Sequence, residues 1–216
     1  MKSYAKNTKP LFLRRFLFLF SLFLLLGAVG YSYAAVMDAN EIANGVVRLH
    51  ILADSDEKGE QALKLSVRDA ILDEYSDVLS SVRDRKDALK ILEEKLPEIK
   101  ALAGKVVREA GYGHEVTVSL TQEYYPTRVY DGFTLPAGDY ASLRVLIGSG
   151  EGKNWFCMVY PPLCTASSEA EESFVEAGFS DDQVRFLTEG EKGYAIRFKV
   201  VEAARSLWQT VKGWFS

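Results

Sequence analysis

From Phe16 to Val29 (FLFLFSLFLLLGAV) the chain carries no charge and is almost wholly apolar, while the fifteen residues before it hold only basic charge, at Lys2, Lys6, Lys9, Arg14 and Arg15. A basic start, an apolar stretch and small residues at Ser32 and Ala34 follow the three-part plan of a secretory signal cut after Ala34. Continued through Tyr31–Val36, the same run reaches the ~20 residues that a membrane span needs. Residues 1–34 are therefore a cleaved signal peptide or, over residues 11–35, a retained anchor, and both readings stand. Basic charge ahead of the apolar run keeps the N-terminus inside and sends everything after Val36 across the membrane in either case.

Beyond this block the pattern changes several times. Val46–Ala53 (VVRLHILA) alternates loosely and is rich in β-branched residues, the mark of a strand. Asp54 and Glu57 have the spacing of a capping box, and a helix is expected from about Asp56 to Leu79 with Leu63, Val67, Ala70, Ile71 and Val78 on one stripe. Its other side carries Gln61, Lys64, Leu65, Arg68 and Leu72. That mixture of charge and leucine reads either as a contact surface or as stems lying over leucines beneath a second helix. Helical spacing continues through Arg85–Lys95 and, restarting at Pro97, to Ala110, with Gly111 and Gly113 closing the region.

From His114 the period shortens to two, with Val116, Val118 and Leu120 on one face and Thr117, Ser119 and Thr121 on the other. Turns are expected at Asp131-Gly132 and at Leu135–Gly138. Tyr140–Ile147 and Trp155–Tyr160 then read as two strands of a hairpin joined by the glycine-rich Gly148–Gly152 loop. Thr165–Glu172 is small and acidic, a linker in composition. A short helix near Asp181–Thr188, a strand at Tyr194–Lys199 and an amphipathic helix from about Val200 to Trp214 complete the chain. The last helix either docks on the core or meets a membrane surface or partner.

This order gives an α+β fold: a mainly antiparallel sheet with two or three helices packed on one face, preceded by an N-terminal signal or anchor helix. The boundaries that follow are 1–34 for the signal or anchor, 38–164 for the folded domain and 165–216 for a linker with a C-terminal helical extension. With 216 residues there is room for one such domain and accessories. Once the five basic residues of the first segment are set aside, 21 Lys and Arg face 30 Asp and Glu, a net charge of −9. Such a surface opposes a phosphate backbone, which removes nucleic acid as a partner.

Motifs for chemistry mostly fail. Asp54-Ser55-Asp56-Glu57-Lys58-Gly59 begins like a calcium loop, but Lys58 at position five and Leu65 at position twelve are not ligands. Gly148–Lys153 lacks the first glycine and the Ser or Thr of a phosphate loop, and a strand follows it where a helix is needed. The two histidines, His50 and His114, have no Cys, Asp or Glu at ligand spacing around them, so neither a metal nor a catalytic residue is assigned and no cofactor is expected. Cys157 and Cys164, the only cysteines, flank Pro161-Pro162. They either bridge across that turn or stand as two small buried hydrophobes.

Three ordered blocks carry a resemblance. Arg48–Asp56 (RLHILADSD) with Gln61–Leu72 (QALKLSVRDAIL), then Tyr125-Pro126-Thr127 with Leu135–Tyr140 (LPAGDY), then Gly152–Cys164 (GKNWFCMVYPPLC), resemble the stage II sporulation protein R family over roughly Val46–Cys164. The resemblance implies a protein made in the forespore and exported into the space between two membranes. There it would activate a membrane-embedded aspartic protease, so that the mother cell's sigma-E precursor is processed, and it would not itself be an enzyme. The expected contact residues are Asp54, Asp56, Gln61, Lys64 and Arg68 on the first helix, with Trp155, Tyr160, Pro161 and Pro162, because aromatic and arginine residues dominate interface energetics. The rival classes are an extracytoplasmic small-ligand binding module, which needs a concave apolar pocket, and a cell-envelope hydrolase, which needs a perturbed acid or base in a cleft.

Overall fold

The structure, a computed structural model, describes residues 9–164, 170–188 and 195–214. Helix α1 (Lys9–Gly45) is followed by β1 (Val47–Leu52), α2 (Lys58–Ser80), α3 (Arg85–Glu109), β2 (Val116–Tyr125), β3 (Arg128–Tyr130) and β4 (Phe133–Leu135). Then come β5 (Gly138–Ile147), β6 (Asn154–Tyr160), α4 (Ala170–Glu176), α5 (Asp181–Thr188) and α6 (Ala195–Trp214).

Four strands form one sheet in the order β2-β5-β1-β6, antiparallel at both outer pairings and parallel between β1 and β5, so it is mainly antiparallel as expected. Its two faces follow from the alternation along each strand. Val47, Leu49 and Ile51 of β1, Leu143, Val145 and Ile147 of β5, and Val116 of β2 point to one side. There Leu63, Val67 and Ile71 of α2 and Leu92, Ile99 and Ala103 of α3 complete a continuous core. A second core lies on the opposite face, where Tyr140 and Met158 of the sheet meet Phe133 and Leu135 of the β3–β4 hairpin, Ile42 of α1, and Phe174, Phe186 and Leu187 of α4 and α5. The hairpin turns at Asp131-Gly132 with Gly132 at φ 83°, a conformation glycine adopts without strain.

Helix α1 is two helices in function. Its large apolar side chains from Phe12 to Val29 point outward, whereas Ala35, Ala39, Ile42 and Ala43 are buried against the domain and against Val201 of α6. The exposed stretch has the length and apolarity to cross a membrane, with a mean hydropathy of 2.0.

The structure departs from the sequence reading in five places. Helix α3 runs through Pro97 without a break; the carbonyl of Glu93, which loses its donor, sits at an exposed position and can be hydrated. Helix α2 begins at Lys58, its N-cap is Glu57, and no side chain caps it, so Asp54 is not the cap that its spacing to Glu57 implied. Strands β5 and β6 are not a hairpin, because β1 lies between them and the Gly148–Gly152 segment crosses over the end of β1. Where a strand was expected at Tyr194–Lys199, residues from Ala195 are already helical and Tyr194 lies outside the described residues. Of the Thr165–Glu172 linker, residues 165–169 also lie outside them, and Ala170–Glu172 open α4.

Candidate functional site

The expected contact residues divide between two places. Asp54, Asp56, Gln61, Lys64, Arg68 and Trp155 gather where β1 leaves the sheet, α2 begins and the crossing loop enters β6. Asp54 Oδ1 accepts the Ser149 N–H at 2.6 Å, and Asp56 Oδ1 accepts the Lys153 N–H at 2.7 Å. The two acids thus hold the crossing loop in the manner of a cap, but on a segment about 95 residues away in sequence. The Ser149 amide also draws the Asp54 carboxyl below its ordinary value. Gly148, at φ 60°, is required here because a Cβ would run into the Asp54 carboxylate.

Lys64 lies behind these acids with only 4% of its surface exposed. Its ammonium donates to Gln61 Oε1 at 2.5 Å and to the Lys153 carbonyl at 2.8 Å, while Gln61 Nε2 donates to the Ser55 carbonyl. Burial lowers the pKa of this ammonium. One turn on, the Arg68 guanidinium stands 4.6 Å from the centroid of the Trp155 ring and pairs with Asp69. The side of α2 that mixes charge with leucine therefore packs on β6 and its approach, with Leu72 buried, and offers only its edges to a partner. Tyr160, Pro161 and Pro162 are at the other end of β6. They border a concavity shared with Ser81 and Val82 after α2 and with Glu176 of α4. Cys157 and Cys164 form a disulfide, with Cα atoms 5.2 Å apart, that fastens the segment after β6 to the strand.

A third group was not visible in the sequence. On the sheet face away from α2 and α3, Arg48 is fully buried, its guanidinium 3.9 Å from the Tyr125 ring centroid and 5.2 Å from that of Tyr140, with Nη2 donating to Tyr130 Oη. Beside it His50 Nδ1 lies 2.8 Å from Glu123 Oε2, Tyr125 Oη donates to the same oxygen, and Ser142 Oγ is 2.9 Å from Tyr125 Oη. Burial works to raise the Glu123 carboxyl, but the hydrogen bonds from Tyr125 and His50 prevail and hold it below its ordinary value. A chain of Ser, Tyr, Glu and His has the parts of a proton relay, yet Ser142 is completely buried and Tyr125 nearly so. It therefore presents no nucleophile to a substrate. The signal that could have revealed it is the polar alternation Arg48, His50 within a strand flanked on both sides by other strands.

The two histidines, set aside on sequence spacing, each meet a carboxylate in the fold: His50 meets Glu123, and His114 Nε2 lies 2.8 Å from Glu60 Oε1 with Asp54 close by. The family model for stage II sporulation protein R (spore_II_R) matches residues 43–170, from the end of α1 through all six strands to the start of α4. The chain belongs to this family. Stage II sporulation protein R of Bacillus subtilis (strain 168) is 35% identical over 123 residues, which is 57% of this chain and 55% of that protein. The chain thus spans about half the length of this curated relative. No solved structure matches it significantly. All three blocks that carried the resemblance fall within the family match, and so do both clusters of expected contact residues.

Proposed function

We propose that this chain is an exported sporulation signal that activates a membrane-embedded aspartic protease, the peptidase that processes the sigma-E precursor in the mother cell. The observation that carries the reading is the family match over residues 43–170 directly downstream of an apolar helix. The Cys157–Cys164 disulfide supports a compartment beyond cytoplasmic thiol reduction, here the space between forespore and mother cell. Burial of Ser142 and Tyr125 supports a non-catalytic role.

Activation then rests on binding. The chain engages the outward-facing part of the protease and shifts it to its active state, which requires higher affinity for that state than for the resting one. The contact is formed by the exposed edges of Asp56, Gln61, Arg68 and Trp155, together with strand β6. That strand is an edge of the sheet, so its outer backbone groups can pair with an extended segment of the partner. Helix α1 runs unbroken through Ala34, and Ala28, Val29 and Ser32 share a groove with Val200, Ala203 and Leu207 of α6. Burial of Ala35 and Ala39, just past the cleavage position, in a cluster with Val201 of α6 favours the retained anchor over residues 11–35, with the domain held at the outer face of the membrane.

The test is a deletion of the gene in its own sporulating host, followed by an immunoblot for the sigma-E precursor and its shorter product. The proposal expects unprocessed precursor to accumulate. An exported copy should restore cleavage and a copy lacking residues 1–34 should not. Normal processing in the deletion strain would remove the signalling role.

A further inference from the structure

We propose that Asp54, Glu60 and His114 form a binding site for a divalent transition-metal ion of the zinc type. Each offers one donor atom, and the three donors lie within 4.8 Å of one another. They come from three junctions: Asp54 follows β1, Glu60 is in the first turn of α2, and His114 stands just before β2. His114 Nε2 and Glu60 Oε1 are hydrogen-bonded at 2.8 Å, and a bound ion would replace that bond, the two donors parting to the roughly 3.3–3.6 Å edge of a tetrahedron with metal–ligand bonds of about 2.0–2.2 Å.

The observation that points to a ligand is Glu60. Only 6% of the residue is exposed, and its Oε2 is buried without a hydrogen-bond partner among the described residues. A carboxylate oxygen in that position is costly unless a proton or a cation satisfies it. The donor set selects the cation. An imidazole with two carboxylates suits zinc and its first-row neighbours, whereas calcium and magnesium take all-oxygen shells.

The surroundings orient the ligands as an outer shell does. The Ser149 N–H fixes the Asp54 carboxylate. The Tyr112 ring stacks on His114 at 5.5 Å between centroids and lies so close over Gly59 that a Cβ there would strike its hydroxyl. Three protein ligands leave room for water, and both Asp54 and His114 are partly exposed. The ion would tie the start of α2 to β2 and, through Asp54, to the crossing loop. It would thereby stiffen the end of the domain that carries Gln61, Lys64 and Arg68.

The test uses the untagged full chain in detergent, stripped with a chelator and titrated with Zn2+ and with Co2+. One equivalent should bind. At zinc about a hundredfold above Kd the melting temperature should rise by roughly 5–10 °C. His114→Gln and Glu60→Gln should each abolish both effects, while Asp56→Asn should keep them. The chain has only two histidines, so NMR of the Co2+ form of the wild type settles the site even if the variants fold poorly. One paramagnetically shifted imidazole, assigned to His114, is expected. No saturable binding, binding without a shifted imidazole, or unchanged binding by folded His114→Gln protein would each overturn the proposal.

Discussion

Arg48 offers a sharp test of what holds the second core together. Its guanidinium is fully buried, makes one hydrogen bond, to Tyr130, and leaves Nε and Nη1 without hydrogen-bond partners among the described residues. The close face of Tyr125 at 3.9 Å contributes about 2 kcal/mol as a desolvated cation–π contact. The charged hydrogen bond adds about 1.5–3 kcal/mol. Against these stands the cost of removing a guanidinium from water, several kcal/mol per ion. The sum is near zero, so Arg48→Met, which keeps the length of the side chain and loses the charge, should fall within about 1–2 kcal/mol of wild type. Arg48→Ala also opens a cavity and should cost about 2–5 kcal/mol. The assay is thermal unfolding of the full chain in detergent, followed by near-ultraviolet circular dichroism, where 1 kcal/mol corresponds to about 2–4 °C at this size. Equal losses in the Met and Ala variants would show that the charge itself stabilises the core and that its desolvation has been overestimated.

The Glu123 carboxyl is held below its ordinary value of 4.5, so its contribution is present above that value and lost as pH falls through the lower folded value. Stability should therefore drop as pH falls from above 4.5 through the lower folded value, and Glu123→Gln should flatten the slope, whereas an unchanged slope would place its origin elsewhere. A Cβ at Gly152 would meet the carbonyl oxygens of Ser55 and Ala53, so Gly152→Ala should cost about 1–3 kcal/mol in the same melts. Gly113→Ala, which meets nothing within 4 Å, should stay near wild type, and equal effects would contradict the packing of the crossing loop. Replacing Cys157 and Cys164 by serine opens a loop of sequence separation 7 and should cost on the order of 2–3 kcal/mol, so the variant should melt below oxidised wild type and level with reduced wild type; a variant as stable as oxidised wild type would contradict the role of the bridge.

Much of the fold was legible because local pattern and burial agree. Strand β1, helix α2 and strand β2 lie close to where the change between periods of 3.6 and 2 put them. The reading failed where a local rule had a distant competitor. Tyr140–Ile147 and Trp155–Tyr160, with a glycine-rich loop between them, have every local mark of a hairpin. A third strand from the start of the domain intervenes because β1 is buried on both faces and needs a neighbour on each edge. Asp54 has the spacing of a capping box, but its carboxylate finds a better-placed donor in Ser149, across the sheet. The contact residues on α2 were read as one face; the fold turns Lys64 and Leu72 inward against β6 and leaves Asp56, Gln61, Arg68 and Trp155 at the rim. The polar alternation of Arg48 and His50 hints at the Arg48 cage, but neither its partners nor the meeting of His114 with Glu60 leaves a trace in spacing, since each is assembled from segments more than fifty residues apart.

Reconstitution in a host that does not sporulate asks whether this chain switches on a protease by contact. The protease and the sigma-E precursor are produced there with and without this chain, and conversion of the precursor is followed by immunoblot. Conversion should depend on the chain, require its export segment, and fall when Arg68 and Trp155 are both replaced by alanine in a protein that still folds. Full conversion without the chain, or with a copy confined to the cytoplasm, would contradict activation by contact.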